Sequence, residues 1–360
     1  MSDLYSVSHQ PSAITATGSL SAVCTLKIMI ESLLSYGWWV GAALIIIGFV
    51  ALVKGADWLV DGASAVAKRF GISDLVIGLT VVAFGTSMPE FVVNMVSVAE
   101  GTTDLAITNI LGSNIINTFV ILGLTALVYP VVSQKRSRDF DIPLSIIAGI
   151  LVFAFVAINS PFGETCPGIS RAGGILLLLM FCYFLYNTFR HAKDHPSDVQ
   201  GDNVQSTKAV STGKAVLLIL IGLVGLVAGG ELIVKSAVDL ATRLGVSEAI
   251  IGLTIVALGT SLPELATSVI AATKHNSDIA LGNVVGSNIF NVFFVLGTSA
   301  VVRPLPAYEG IELDAWAAAV GSILVWLFVK TNHERKIKRW GGAILLLVYA
   351  GYLTYRLMSV

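Results

Sequence analysis

Charge is scarce in this 360-residue chain: Asp, Glu, Lys and Arg make up only 12% of it, well below the share usual in soluble domains. With 55% hydrophobic residues and a mean hydropathy of +0.83, that scarcity excludes a soluble globular protein and identifies an all-α integral membrane protein as the default. Neither sign of charge prevails, since 22 basic residues face 23 acidic ones, so the balance gives no footprint for nucleic acid. Cysteine is almost absent. Cys24, Cys166 and Cys182 form no CxxC and no metal-ligand spacing, which excludes a disulfide framework and a thiolate metal centre. Residues 1–36 lack a basic start and a clear cleavage site, so they read as an interfacial or disordered tail rather than a signal peptide.

What the chain has instead is apolar length and repetition. Segments of about 17 to 25 apolar residues recur, each able to cross a hydrocarbon core roughly 30 Å thick as a helix. "IGLTVVAFGTSMPE" at 77–90 returns as "IGLTIVALGTSLPE" at 251–264, and "LGSNIINTFVILG" at 111–123 returns as "VGSNIFNVFFVLG" at 285–297. Both pairs share an offset of 174, and at that offset positions 78–123 match 252–297 at 21 of 46 places without a gap. The register extends back through Gly48 and Gly222, Asp57 and Glu231, and Arg69 and Arg243.

Each half reads as five spans. The first repeat (37–190) is expected to hold spans near 37–69, 73–99, 104–128, 142–158 and 169–190. After a polar linker at 191–213, the second repeat (214–357) gives 214–243, 247–273, 278–302, 311–329 and 338–357. Five is odd, so the second half must enter the membrane from the opposite side. The expected architecture is ten transmembrane helices as two inverted five-helix repeats. Fifteen Lys and Arg fall on one side of this topology and five on the other, which places the first side in the cytoplasm and both termini outside. Inverted repeats with polar interruptions in matching spans are the signature of a secondary transporter, with its site near the midplane.

Glu90 and Glu264 lie about seventeen residues into their spans, and no basic residue shares either span's interior. An ionised carboxylate at that depth costs several kcal/mol unless it is paired, protonated or holding a cation. Pro89 removes a donor and crowds the Gly85 carbonyl, so a helix break there is expected to release backbone oxygens. Thr86, Ser87, Thr260 and Ser261 add hydroxyls beside the carboxylates. The following spans add Ser113, Asn114 and Asn117, and Ser287, Asn288 and Asn291, the paired asparagines at i, i+3 on one helix face, with Asn109 and Asn283 nearer the span starts. These donors are all oxygen-bearing, and no His or Cys stands among them. Calcium and sodium both suit such a set, whereas zinc and copper do not.

A lone Ser or Asn in a membrane helix ordinarily serves interhelical hydrogen bonding, and glycines at GxxxG spacing serve close packing. Packing does not account for two buried carboxylates in equivalent places. The other intramembrane charges, Lys54, Asp57 and Asp61, and Glu231, Lys235 and Asp239, read as local i, i+3 and i, i+4 ion pairs. An intramembrane acid protease would also need two acids, but no nucleophile or HExxH motif accompanies these glutamates, and the chain is not read as an enzyme. A passive cation channel is the remaining alternative.

The motifs "GTSMPE" with "GSNIIN", and "GTSLPE" with "GNVVGSNIFN", resemble those of the calcium/cation antiporter superfamily, which includes the sodium/calcium exchangers; the likeness spans about 37–357. The resemblance implies calcium exchanged for sodium, or for protons, by alternating access, with no cofactor and with only the transported ions and the bilayer as partners. It implies that Glu90 and Glu264 are central ligands, that Thr86 and Thr260 add oxygens, and that Asn117 joins the central ring. It further implies that Ser87, Ser261, Ser113 and Ser287 complete flanking monovalent-ion sites. Asn291 stands where several members carry aspartate, which argues against potassium co-transport and keeps proton coupling open. The compact chain, without a large regulatory loop, suggests a prokaryotic inner membrane.

Overall fold

The computed structural model describes residues 29–30, 32–34, 37–157, 168–194, 211–245, 257–308 and 310–358. Most of the expected tail, most of the linker and the start of the span expected at 247–273 lie outside the described residues, as do Cys24 and Cys166; Cys182 is a free thiol.

The helices follow in order: α1 Trp38–Phe70, α2 Asp74–Thr86, α3 Met88–Glu100, α4 Thr103–Val128, α5 Ser137–Ala157 and α6 Arg171–Asp194. After the linker come α7 Thr212–Arg243, α8 Ala257–Thr260, α9 Leu262–Thr273, α10 Ser277–Val302, α11 Ile311–Thr331 and α12 Arg339–Met358. Seven described helices are long and apolar enough to cross a membrane, or eight if α2 and α3 are taken as one bent span. The longest helix, α1, ends where Gly71 takes φ 63° and returns its N–H to the Ala67 carbonyl, a left-handed stop that glycine adopts without strain.

Helices α4 and α10 form the centre, and α10 is buried along almost its whole length. On these two helices Phe119, Phe293, Ile107, Ile110 and Leu111 are fully buried. The outer faces of α1, α6 and α7 expose Ile46, Leu179 and Val224, as helices facing lipid do, and Trp38, Trp39 and Trp340 stand exposed at helix starts, where membrane proteins place interfacial aromatics.

Helices α1 and α7 pack through a ladder of small residues seven apart. A methyl group built on Gly48 would lie 2.8 Å from the Gly229 carbonyl oxygen, one on Gly55 2.8 Å from that of Gly222, and one on Gly62 2.7 Å from that of Ala215. The ladder is reciprocal, since methyls on Gly222 and Gly229 would meet the carbonyls of Gly55 and Gly48 at 2.7 Å. Lipid offers no hydrophobic force between helices, so such close backbone approach is what holds them together.

Two short strand pairs tie the halves. β1 (Val131–Val132) follows α4 and pairs antiparallel with β4 (Lys336–Ile337), which precedes α12. β3 (Leu305–Pro306) follows α10 and pairs with β2 (Gly168–Ile169), which precedes α6. Each half thus lends the other one strand in the corresponding place.

On α1 the acidic pair of the expected local cluster is met by a cation from another helix, whereas on α7 a local pair is kept. Lys274, at the end of α9, bridges Asp57 at 2.7 Å and Asp61 at 2.6 Å on α1, while Asp239 pairs with Arg243. Spacing on one helix showed that Asp57 and Asp61 share a face, but not which neighbouring helix supplies the cation.

Candidate cation site

The two interrupted helices turn at serine. Ser87 takes φ −86° and ψ 7° between α2 and α3, which are bent by 45°, and Ser261 takes φ −90° and ψ 4° between α8 and α9. Pro89 and Pro263 sit in the first turn after each break, where a helix needs no N–H from them. The break expected from the proline therefore falls two residues ahead of it. It starts a new helix whose first turn carries Glu90 or Glu264.

Both glutamates are buried, with 1% of Glu90 and none of Glu264 exposed. They lie within electrostatic reach of each other, and no basic side chain among the described residues acts on either. The link between the halves is direct. Ser87 Oγ donates to Glu264 Oε1 at 2.7 Å, and Ser287 Oγ of α10 donates to the same oxygen at 3.4 Å. The first break is thereby fastened to the carboxylate of the second.

Helices α4 and α10 close the site. Their middle sections widen into π turns, Ile116–Ile121 and Phe290–Leu296, which hold Asn117 and Asn291. Such turns are frequent at functional sites. Asn114 Nδ2 donates to the Asn288 carbonyl at 3.1 Å, Asn291 Nδ2 donates to Asn114 Oδ1 at 3.1 Å, and Asn288 Nδ2 donates to Thr118 Oγ1 at 2.7 Å. On the side of the breaks, Thr86 Oγ1 donates to Asn283 Oδ1 at 3.1 Å.

Much of the remaining oxygen has no protein partner. Glu90 Oε2, Glu264 Oε2, Ser113 Oγ, Asn117 Oδ1, Ser261 Oγ, Asn288 Oδ1 and Asn291 Oδ1 are buried without a hydrogen-bond partner among the described residues. Buried polar atoms are paired in the great majority of cases, so this concentration of orphaned acceptors calls for a ligand that accepts electron pairs. No group of three His, Cys, Asp or Glu gathers among the described residues. Two carboxylates with hydroxyls and amides suit a hard cation.

The structure thus brings Glu90, Glu264, Ser87, Ser287 and Thr86 to the two breaks, and Asn291 to the amide chain running between α4 and α10. Ser113, Asn117, Thr260 and Ser261 are buried or half-buried on the same elements. Sequence reasoning gave no role to Asn94 and Ser268, four residues after each glutamate. Asn94 Oδ1 accepts from Asn109 Nδ2 at 3.1 Å, and Ser268 Oγ accepts from Asn283 Nδ2 at 2.9 Å. Their matching positions in the two halves were the available signal.

Comparison with known proteins places the chain in one family. The family described as sodium/calcium exchanger protein matches residues 40–190 and 214–358. The chain is 31% identical to the sodium/calcium exchanger MaX1 of Methanosarcina acetivorans over 341 residues, covering 86% of this chain and 96% of that one. It is 36% identical to the inner membrane protein YrbG of Escherichia coli over 271 residues, covering 73% and 80%. A solved structure of the sodium–calcium exchanger NCX_Mj, soaked with sodium and calcium, superposes with a TM-score of 0.74 at 31% identity, over 87% of this chain and 97% of that one. On these grounds the protein is an integral membrane antiporter of the sodium/calcium exchanger family, of the prokaryotic type.

Proposed function

We propose that this chain exchanges calcium for sodium by alternating access at a single site built on Glu90 and Glu264. The observation that carries the reading is the Ser87 to Glu264 hydrogen bond, which joins two equivalent helix breaks around two carboxylates that have no cationic side chain beside them among the described residues. Calcium would draw on Glu90, Glu264, Thr86, Thr260, Asn117 and Asn291. Sodium would compete there and use Ser87, Ser261, Ser113 and Ser287. The reciprocal strand pairs and the α1–α7 ladder support ten helices in two inverted repeats, 37–190 and 214–357, with the α8–α9 break as the counterpart of the α2–α3 break. The cytoplasmic side is the one rich in Lys and Arg, in a prokaryotic inner membrane with both termini outside.

Charge sets the coupling. Two carboxylates neutralise one calcium or two monovalent ions, and Asn291 adds none, so a third sodium would make exchange electrogenic. An empty, doubly ionised site resists occlusion because its carboxylates repel in a dry interior, which makes occupancy the condition for crossing. Proton coupling is the second reading, favoured by the neutral Asn291. Calcium uptake into vesicles is expected to follow an outward sodium gradient and to fall to background without a counter-ion. Uptake that ignores sodium but follows an outward proton gradient would establish the second reading. Uptake without any counter-ion would establish a channel.

A further inference from the structure

Asn283 is fully buried on α10 and is not among the residues assigned above to hold an ion. It nevertheless touches both halves of the site. Its Nδ2 donates to the Glu264 carbonyl at 3.2 Å and to Ser268 Oγ at 2.9 Å, while its Oδ1 accepts the Thr86 hydroxyl at 3.1 Å. Two donor contacts fix which way the amide faces, so Oδ1 is held toward Thr86. The corresponding amide of the other half makes the matching donor contact, Asn109 Nδ2 to Asn94 Oδ1, but Thr260 Oγ1, the counterpart of Thr86 Oγ1, has no hydrogen-bond partner among the described residues.

A hydroxyl can ligate a cation only with its hydrogen turned away. In a dry site that hydrogen needs an acceptor of its own, or the oxygen is spent as a donor to the nearest carboxylate. For Thr86 the acceptors within reach are Asn283 Oδ1, the Ala83 carbonyl at a longer 3.4 Å, and the Glu264 carboxylate itself. We propose that Asn283 is a positioning residue for the cation site: it takes the Thr86 hydroxyl hydrogen, so that the Thr86 oxygen presents its lone pairs to calcium beside Glu264. The inference rests on the two-glutamate reading and extends it to a residue that touches no ion. It also makes the site asymmetric, because Thr86 is held as an acceptor through the opposite half of the chain.

The test is a double-mutant cycle on the purified full-length protein, with calcium affinity measured by titration calorimetry. Asn283→Leu and Thr86→Val are each expected to weaken calcium binding about tenfold, the worth of one hydrogen bond to a charged centre. In the Thr86→Val background, Asn283→Leu should change affinity by less than about twofold, because its partner is already gone. In transport, Asn283→Leu should raise the KM for calcium while keeping the maximal rate. Should the leucine variant fail to fold, Asn283→Ser removes the same acceptor with less bulk and carries the same expectation. Losses that multiply in the double mutant, or unchanged affinity in the Asn283 variants, would overturn the inference while leaving the glutamate site standing. A wild-type protein that binds no calcium would overturn both.

Discussion

Glu90→Gln and Glu264→Gln are each expected to abolish calcium exchange while leaving membrane insertion and folding intact. Glutamine keeps the shape of the side chain and one carbonyl oxygen, so the Ser87 hydroxyl still has an acceptor at position 264. What is lost is one of two charges facing a divalent ion, at a place where the remaining donors are neutral. Removing one partner of a buried charge pair costs about 3–5 kcal/mol, which is roughly a few-hundred- to few-thousand-fold in affinity. The same change relieves repulsion between Glu90 and Glu264 in the empty protein. The variants should therefore melt no lower than wild type in calcium-free detergent, and should lose the stabilisation that calcium gives wild type. Undiminished calcium flux in either variant would sink the two-glutamate reading.

The second large effect concerns the α1–α7 ladder and separates two adjacent glycines. At Gly229 an added methyl would lie 2.7 Å from both the Gly48 carbonyl oxygen and the Leu52 nitrogen, and backbone atoms cannot step aside. At Gly230 nothing stands within 4 Å of the same methyl. Gly229→Ala is accordingly expected to destabilise by about 1–3 kcal/mol through overpacking. Gly230→Ala should be neutral or stabilising by up to about 1 kcal/mol, since alanine is the better helix former. Gly55→Leu, aimed at the Gly222 carbonyl in the middle of the ladder, should prevent recovery of folded protein. Melting temperatures of the purified variants decide the matter. Equal effects at 229 and 230 would mean that the ladder does not hold the two helices.

Much of this was legible in the sequence because membrane helices write their features locally. Apolar length marked the spans, and the offset of 174 paired every residue near one glutamate with a counterpart near the other. Pro89 announced a break, although the turn falls at Ser87, because a proline in the first turn of a helix begins the new helix rather than ending the old one. Contacts between helices were not legible. Periodicity put Asp57 and Asp61 on one face, yet Lys274 pairs with them from 213 or more positions away. Likewise Ser87 was read beside Glu90, its neighbour in sequence, and its hydroxyl instead serves Glu264. The π turns left no mark either, since "INTFVI" and "FNVFFVL" suit an ordinary helix equally well.

Anomalous scattering from crystals soaked in calcium tests the central claim most directly. The account predicts one dominant calcium peak, about 2.3–2.6 Å from carboxylate oxygens of both Glu90 and Glu264. Calcium held by a single glutamate, or lying away from the pair altogether, would contradict it.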